Sequence, residues 1–271
     1  MPVKKDASGR RSVEAEVEVP GTPEQVWQAI ASGPGISSWF VPSELEQRDG
    51  GKAVSHFAPD GSMDSVGKIT AWSPPHRFVV ETNDEMDGGA GPVATEWTVE
   101  ARAGGTCVVR VVHNWFASTD DWDGQMEGHT HGWVAFFRIL RLYLARFRGQ
   151  HGVSFQLMAT APEPKAAAWD ALLAPLGIVG PTVGGRIATV PGAPPLAGTV
   201  HSIGQLEWPE LLVETDQPGP GIAHFFPLPM GGQVFLTGRL YLFGPDAAAV
   251  AARAQPVWEK WIGERFARMG G

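Results

Sequence analysis

Residues 122–147 read WDGQMEGHTHGWVAFFRILRLYLARF. Either this run carries a metal or catalytic site, or it is a helix that closes over a sheet, and that choice decides the fold. Trp122, Met126, His129, Trp133, Phe136, Leu140, Leu144 and Phe147 recur at three- and four-residue steps. That spacing draws one stripe along a helix of about six or seven turns. Asp120, Asp121 and Asp123 stand near its start, and Arg138, Arg141, Arg146 and Arg148 fill its C-terminal half, which suits the helix dipole. On a helix His129 and His131 project about 200° apart, so they cannot share a metal. A zinc site would need non-helical backbone and a third ligand such as His113. No metal site is expected. The stripe must instead lie on an apolar surface, with Gly128 and Gly132 letting the helix start approach it and Trp133 closing one end.

Upstream, SVEAEVEVP (12–20) alternates Val13, Ala15, Val17 and Val19 against Glu14, Glu16 and Glu18, the period of a strand with one wet face. Thr22, Pro23 and Gln25 then form a capping box with proline at the first helical position, predicting a helix to about Ala31. ISSWF (36–40) offers one further helical turn. From Gly50 onward, apolar and aromatic runs are punctuated by PDG, SPP and AGG, the turn chemistry of an antiparallel meander. The acidic, Gly-rich stretch from Asn83 to Thr95 reads as a solvated hairpin tip or as a lid. Cys107 falls in an alternating strand, where a packed small hydrophobe is expected rather than a reactive thiol.

The 271 residues suit two domains. Fourteen basic against 20 acidic residues through Gln150, and 7 against 9 beyond it, give −6 and −2, together the formal −8. Neither half has the basic excess that a duplex-binding surface needs, so no nucleic-acid partner is expected. No apolar run approaches the length of a membrane span and no signal peptide is recognisable, which predicts a cytoplasmic protein. A single cysteine excludes an internal disulfide and a cysteine-built zinc site. Seven of the eleven tryptophans precede residue 150, and tryptophans concentrated in this way fill a core or line a cavity.

The second half repeats the first in weaker form. AWDALLAPLG echoes VWQAIASG, GTVHSIGQLEWPELLVET echoes GKITAWSPPHRFVVET, and GGQVFLTGRLYLF echoes GGTCVVRVVHNWF. The offsets fall from 142 (Trp27 to Trp169) to 133 (Thr82 to Thr215) and 127 (Gly105 to Gly232), as in a tandem duplication whose second copy has lost loop residues. The expected boundary divides the chain into residues 1–150 and 151–271, with DAAAVAARAQPVWEKWIGERF as the second closing helix.

Residues 12–148 resemble bacterial homologues of the heat-shock protein 90 ATPase activator, within the SRPBCC or START-like superfamily that includes the major birch pollen allergen. The resemblance rests on VPGTPEQVWQAI, WF.P at Trp39 to Pro42, GG at Gly50 and Gly51 followed by PDG, G.I....PP.RFV.ET, GGT....V.H..F, and GH..GW at Gly128 to Trp133. It implies an α+β chain of two tandem helix-grip domains, each a curved antiparallel sheet wrapped around a long C-terminal helix with an elongated apolar cavity between. It fixes no reaction, because the superfamily spans carriers, cyclases, hydrolases and co-chaperone-like proteins.

No G-x-S-x-G elbow, Walker loop, dinucleotide fingerprint or H-E-x-x-H motif is present, and no cofactor is expected. The expected ligand is a hydrophobic or aromatic small molecule, contacted by Trp39, His56, Phe57, Trp72, Trp97, His113, Trp115, His129, Trp133 and Phe137. Aromatic walls with few polar groups have the character of a ligand pocket. Two other readings stay open. One is a cyclase- or hydrolase-type enzyme with His113 or His129 as the catalytic proton carrier; the other is a co-chaperone-like module whose partner is a chaperone. The second domain is expected to be a packing partner or a degenerate copy.

Overall fold

The computed structural model describes residues 4–5, 10–58, 61–82, 93–116, 123–161, 164–205, 207–230 and 233–266, with the side chains of residues 5, 10, 115–116, 123–131 and 229–230 left aside. The chain separates into two compact units, Met1–His151 and Gly152–Gly271.

In unit 1 the alternating N-terminal segment forms β2 (Arg10–Pro20), preceded by the two-residue β1 (Lys4–Lys5). The chain then turns into α1 (Pro23–Ile30) and α2 (Gly33–Ser37). The capping box is formed at both ends: Gln25 N–H donates to Thr22 Oγ1 at 3.4 Å, and Thr22 N–H donates to Gln25 Oε1 at 3.0 Å. Gly35 is required at the α1–α2 junction, where an added Cβ would stand 1.9 Å from the Gln28 carbonyl oxygen. A six-strand meander follows: β3 (Ser43–Leu45), β4 (Lys52–His56), β5 (Asp64–Ser73), β6 (Arg77–Thr82), β7 (Val93–Arg102) and β8 (Thr106–Phe116). All strands pair antiparallel in the order β1-β2-β8-β7-β6-β5-β4-β3. The long helix α3 (Asp123–Arg146) completes the unit. Its Ile139, Leu140, Leu142, Tyr143 and Leu144 are buried, and the helix packs on β2. Arg148 Nη1, just past its end, donates to Gln25 Oε1 at 2.8 Å and ties the C-terminus of the grip to α1.

Trp122 lies outside the described residues, as does the 83–92 stretch read as hairpin tip or lid. The helical backbone runs through His129 and His131. The close-approach reading of Gly132 is corrected: an added Cβ there would meet nothing within 4 Å, so no neighbour demands a glycine. Cys107 is fully buried with its Sγ 3.3 Å from the Gly21 carbonyl oxygen, and burial, then the Glu24 charge, push its thiol pKa up.

Unit 2 builds the same arrangement with fewer pieces. β9 (Val153–Ala161) leads to α4 (Lys165–Leu173) and a 3-10 turn (Ala174–Leu176), then to β10 (Arg186–Ala188), β11 (Ala197–Gln205), β12 (Trp208–Gln217), β13 (Gly221–Met230), β14 (Gln233–Leu242) and the closing helix α5 (Ala247–Gly263). The sheet order is β10-β11-β12-β13-β14-β9, that of unit 1 without its two short edge strands. The internal echoes land on corresponding elements: Trp27 and Trp169 sit in the first helix of each unit, and Thr82 and Thr215 in β6 and β12. The Gly231–Gly232 echo falls outside the described residues.

The core of unit 2 is mostly aliphatic, with Leu157, Leu211, Val213, Leu236, Leu240 and Leu242 on the sheet and Ala251, Ala254, Trp258, Trp261 and Ile262 on α5. A cleft of about 280 Å³ opens where α4 and the segment after it meet β11 and β12. Both units are antiparallel sheets gripping a terminal helix, an α+β architecture of two helix-grip domains.

Candidate functional site

Residues that pair across an antiparallel ladder share a face. Along unit 1 the ladders place Ser55, Ser65, Trp72, Phe78, Thr82, Thr95, Trp97, Val111 and His113 on one face. This is the face that meets α3, because Trp97 lies against Trp133 and Phe137 at ring-centroid distances of 5.0 and 6.2 Å. A chain of ring contacts runs across it. Trp27 meets Trp72 at 5.0 Å and Phe78 at 5.5 Å, Phe78 stacks on Trp97 at 5.9 Å, and Trp97 meets Trp39 at 6.3 Å. Trp133 stacks on Phe40 at 5.1 Å, and Phe40 reaches Phe57 at 5.7 Å and Phe136 at 4.4 Å. Trp39, Phe78, Trp97 and Phe137 are all buried, and Trp39 Nε1 donates to the Ala29 carbonyl at 2.9 Å.

The expectation of one long hollow bordered by these rings is therefore corrected, because in the middle of the sheet they pack on each other. Each ring removes about 150–250 Å² from water, about 4–6 kcal/mol as an upper estimate. A sequence this rich in tryptophan gains more by closing such a space than by leaving it open.

The half-buried polar positions on this face collect at one end, where β4, β6 and β8 terminate and β5 and β7 begin. There the ring-packed floor gives way to Ser55, Ser65, Thr82, Thr95 and His113, with Phe57 and Trp133 beside them. Ser55 Oγ lies 3.1 Å from Ser43 Oγ.

His113 is fixed at both nitrogens. The Trp133 indole N–H donates to His113 Nε2, and His113 Nδ1 lies 2.9 Å from Thr95 Oγ1. An indole has only a donor, so Nε2 carries no proton in this arrangement, and the neutral ring holds its proton on Nδ1, facing the threonine hydroxyl. The imidazole thus bridges helix and sheet.

His56 lies elsewhere, which corrects its assignment to the ligand wall. It pairs with Asp64 on the opposite face of the sheet, its Nδ1 2.8 Å from Asp64 Oδ1 and its Nε2 4.0 Å from Glu44 Oε1. Trp72 shares the inner face but joins Trp27 and Phe78 rather than the hydroxyl end. The side chains of Trp115 and His129 lie outside the described residues.

Ser55, Ser65, Thr82 and Thr95, together with Phe40 and Phe78, are not among the residues nominated from the linear pattern. A strand-by-strand register would have found the hydroxyls, since each lies at an even spacing from an apolar inward residue. Among the described residues no three His, Cys, Asp or Glu side chains gather as metal ligands.

Unit 2 differs at the same positions. Trp97 pairs with Phe78 on one side and Val111 on the other; Phe225 pairs with Leu211 and Gly238 in the corresponding strands, and meets Trp258 of α5 at 5.7 Å. With Trp97 and Phe225 as counterparts, the Thr95–His113 pair corresponds to Ala223–Leu240, and Trp258, like Trp133, meets the central ring from the closing helix. The imidazole is gone, and Trp258 Nε1 is buried with no hydrogen-bond partner among the described residues.

The opposite face of the unit 2 sheet holds a polar row. His224 Nε2 lies 3.2 Å from Glu210 Oε1, both buried, and Arg239 Nε donates to Gln156 Oε1 at 3.1 Å. Burial pushes the Arg239 guanidinium pKa down and the Tyr241 phenol up.

A sheet gripping its last helix, with one polar end to the enclosed face, defines a protein of the SRPBCC class. The chain belongs to the polyketide cyclase / dehydrase and lipid transport family, whose model matches residues 10–147, just over half of it. No functionally curated protein matches the sequence. Solved structures similar to it include CalU16 from Micromonospora echinospora, with 16% identity over 54% of this chain and 83% of that one at a TM-score of 0.42. The Aha1 dimer from Colwellia psychrerythraea matches with 19% identity over 51% and 98%, TM-score 0.42. DynU16, of the dynemicin biosynthetic locus, matches with 15% identity over 92% and 94%, TM-score 0.42. Among the described residues no helix is long and apolar enough to cross a membrane.

Proposed function

We propose that unit 1 binds an aromatic or hydrophobic small molecule without transforming it, seated at the hydroxyl end of the enclosed face rather than along its length. The observation that carries this reading is the step on one sheet face from tightly packed rings to half-buried Ser55, Ser65, Thr82, Thr95 and His113. Such a site offers an aromatic floor for an apolar body and several hydroxyls to orient a polar substituent. Membership of a family described by cyclase, dehydrase and lipid-transport activity supports a ligand of this chemistry. The non-catalytic reading is supported by the engagement of both His113 nitrogens, by Trp133 and Thr95.

Titration of the full chain with 1-naphthol, followed by the Trp133 indole N–H resonance, tests the proposal. Saturable shifts at Trp133, with affinity falling about threefold to tenfold in Ser55→Ala/Thr82→Val as hydrogen bonds are lost, are the expected result. Absence of saturation, or shifts confined to unit 2, would overturn it.

A further inference from the structure

The cleft in unit 2 occupies a position that unit 1 fills with rings. In unit 1, Trp27 of the first helix packs on Trp72 at 5.0 Å and on Phe78 at 5.5 Å, and Trp72 and Phe78 pair across β5 and β6. The counterparts in unit 2 are Trp169 of α4 with Ile203 and Leu211, which pair across β11 and β12. The tryptophan on the helix is kept, while both rings beneath it are replaced by smaller aliphatic side chains. All three unit 2 residues, Trp169, Ile203 and Leu211, line the cleft of about 280 Å³. Leu173, Ile178 and Pro181 extend the same apolar wall.

This opening has not been closed by collapse. Trp169 is only half-buried, Ile203 is 37% exposed, and Val179 at the rim is 84% exposed. Large apolar side chains gathered around a concavity in this way mark a binding surface rather than ordinary surface composition. Two acidic residues line the cleft: Glu210, buried, whose Oε1 lies 3.2 Å from His224 Nε2, and the exposed Asp170, next to Trp169 on α4, whose carboxylate makes no hydrogen bond or ion pair among the described residues. A cation of the same helix, Lys165, is engaged elsewhere, its Nζ donating to the Glu207 carbonyl and lying 4.4 Å from the centre of the Trp208 ring.

We infer that this cleft is a second ligand site, independent of the one proposed in unit 1, and that it takes a small apolar amine. The apolar body lies on Leu173, Ile178, Pro181, Ile203 and Leu211. The ammonium group faces the Asp170 carboxylate and the Trp169 ring, two groups that favour a cation and give a neutral analogue nothing comparable. The cleft is at the small end of ligand pockets, so a bicyclic amine fits it better than a long-chain lipid.

The test titrates the full-length protein with 1-naphthylmethylamine and with the neutral 1-naphthalenemethanol, by calorimetry. The amine is expected to bind saturably, about threefold to fivefold tighter than the alcohol, as an exposed carboxylate supplies. Asp170→Asn, an exposed change that does not touch the core, should erase that preference. Ile203→Trp/Leu211→Phe, which restores the unit 1 side chains, should abolish binding of both compounds. No saturable binding of either compound overturns the inference. So does equal affinity for amine and alcohol, or a preference that survives Asp170→Asn. Binding undiminished in a folded Ile203→Trp/Leu211→Phe protein places the compound elsewhere and likewise overturns it; if that variant does not fold, Asp170→Asn decides alone.

Discussion

Units 1 and 2 share a strand order and a closing helix but have different interiors. Unit 1 spends its aromatic residues in one continuous ring chain from Trp72 to Phe57 and keeps an imidazole between sheet and helix. Unit 2 has a mostly aliphatic sheet face, an indole N–H with no acceptor among the described residues, and an open cleft where unit 1 is closed. The difference teaches that the fold is specified by the alternation and length of strands plus an amphipathic last helix, whereas what the fold can hold depends on a few inward positions. Phe78 against Leu211, Trp72 against Ile203 and His113 against Leu240 account for most of it.

The largest expected effect separates the two cores. Trp97 touches Trp39, Phe78, Trp133 and Phe137, whereas among the described residues Phe225 meets one ring, Trp258. Trp97→Ala should cost about 4–5 kcal/mol and Phe225→Ala about 3 kcal/mol, within the range for deleting a large buried ring. Cys107 reports on unit 1 alone, since it is the only cysteine and is buried with a raised thiol pKa. Its alkylation in increasing urea should therefore begin at much lower denaturant in Trp97→Ala and at an unchanged concentration in Phe225→Ala.

The next effect concerns the two helix tryptophans. Trp133→Phe removes the donor to His113 and leaves a half-buried acceptor unsatisfied, at about 1–2 kcal/mol. Trp258→Phe removes an N–H that has no partner, so its cost should stay within about 1 kcal/mol of zero. Urea unfolding of both variants checks this, and equal losses would break the proposed correspondence between the two positions.

The smallest effect is a coupling. Leu240→His with Ala223→Thr rebuilds the unit 1 pair on the sheet face that meets Trp258. The two changes should be less damaging together than the sum of each alone, by about 0.5–1.5 kcal/mol in a double-mutant cycle. A coupling of zero would mean that α5 places Trp258 out of reach of this position.

Much of the fold was legible because it rests on periodicities that survive without tertiary context. Val13, Ala15, Val17 and Val19 announced β2, the Thr22–Gln25 box announced α1, and the 122–147 stripe announced α3. The site was legible in part. Trp39, Trp97, Trp133 and Phe137 were recognised as inward-facing, and His113 as sharing a face with Val109 and Val111. His56 was misplaced because its strand carries too few residues to show which face is which; only its pairing with Asp64 puts it outside.

What the sequence determined by itself, then, is the order of elements, the duplicated plan and the aromatic character of the first core. These depend on the spacing of side-chain types along the chain, which local backbone geometry reads directly. The tertiary structure decided which rings meet, that they fill the middle of the sheet, that both His113 nitrogens are occupied, and that Trp169 overlooks a cleft. Each of these depends on register between strands distant in sequence, and a one-residue slip would move every side chain involved to the other face.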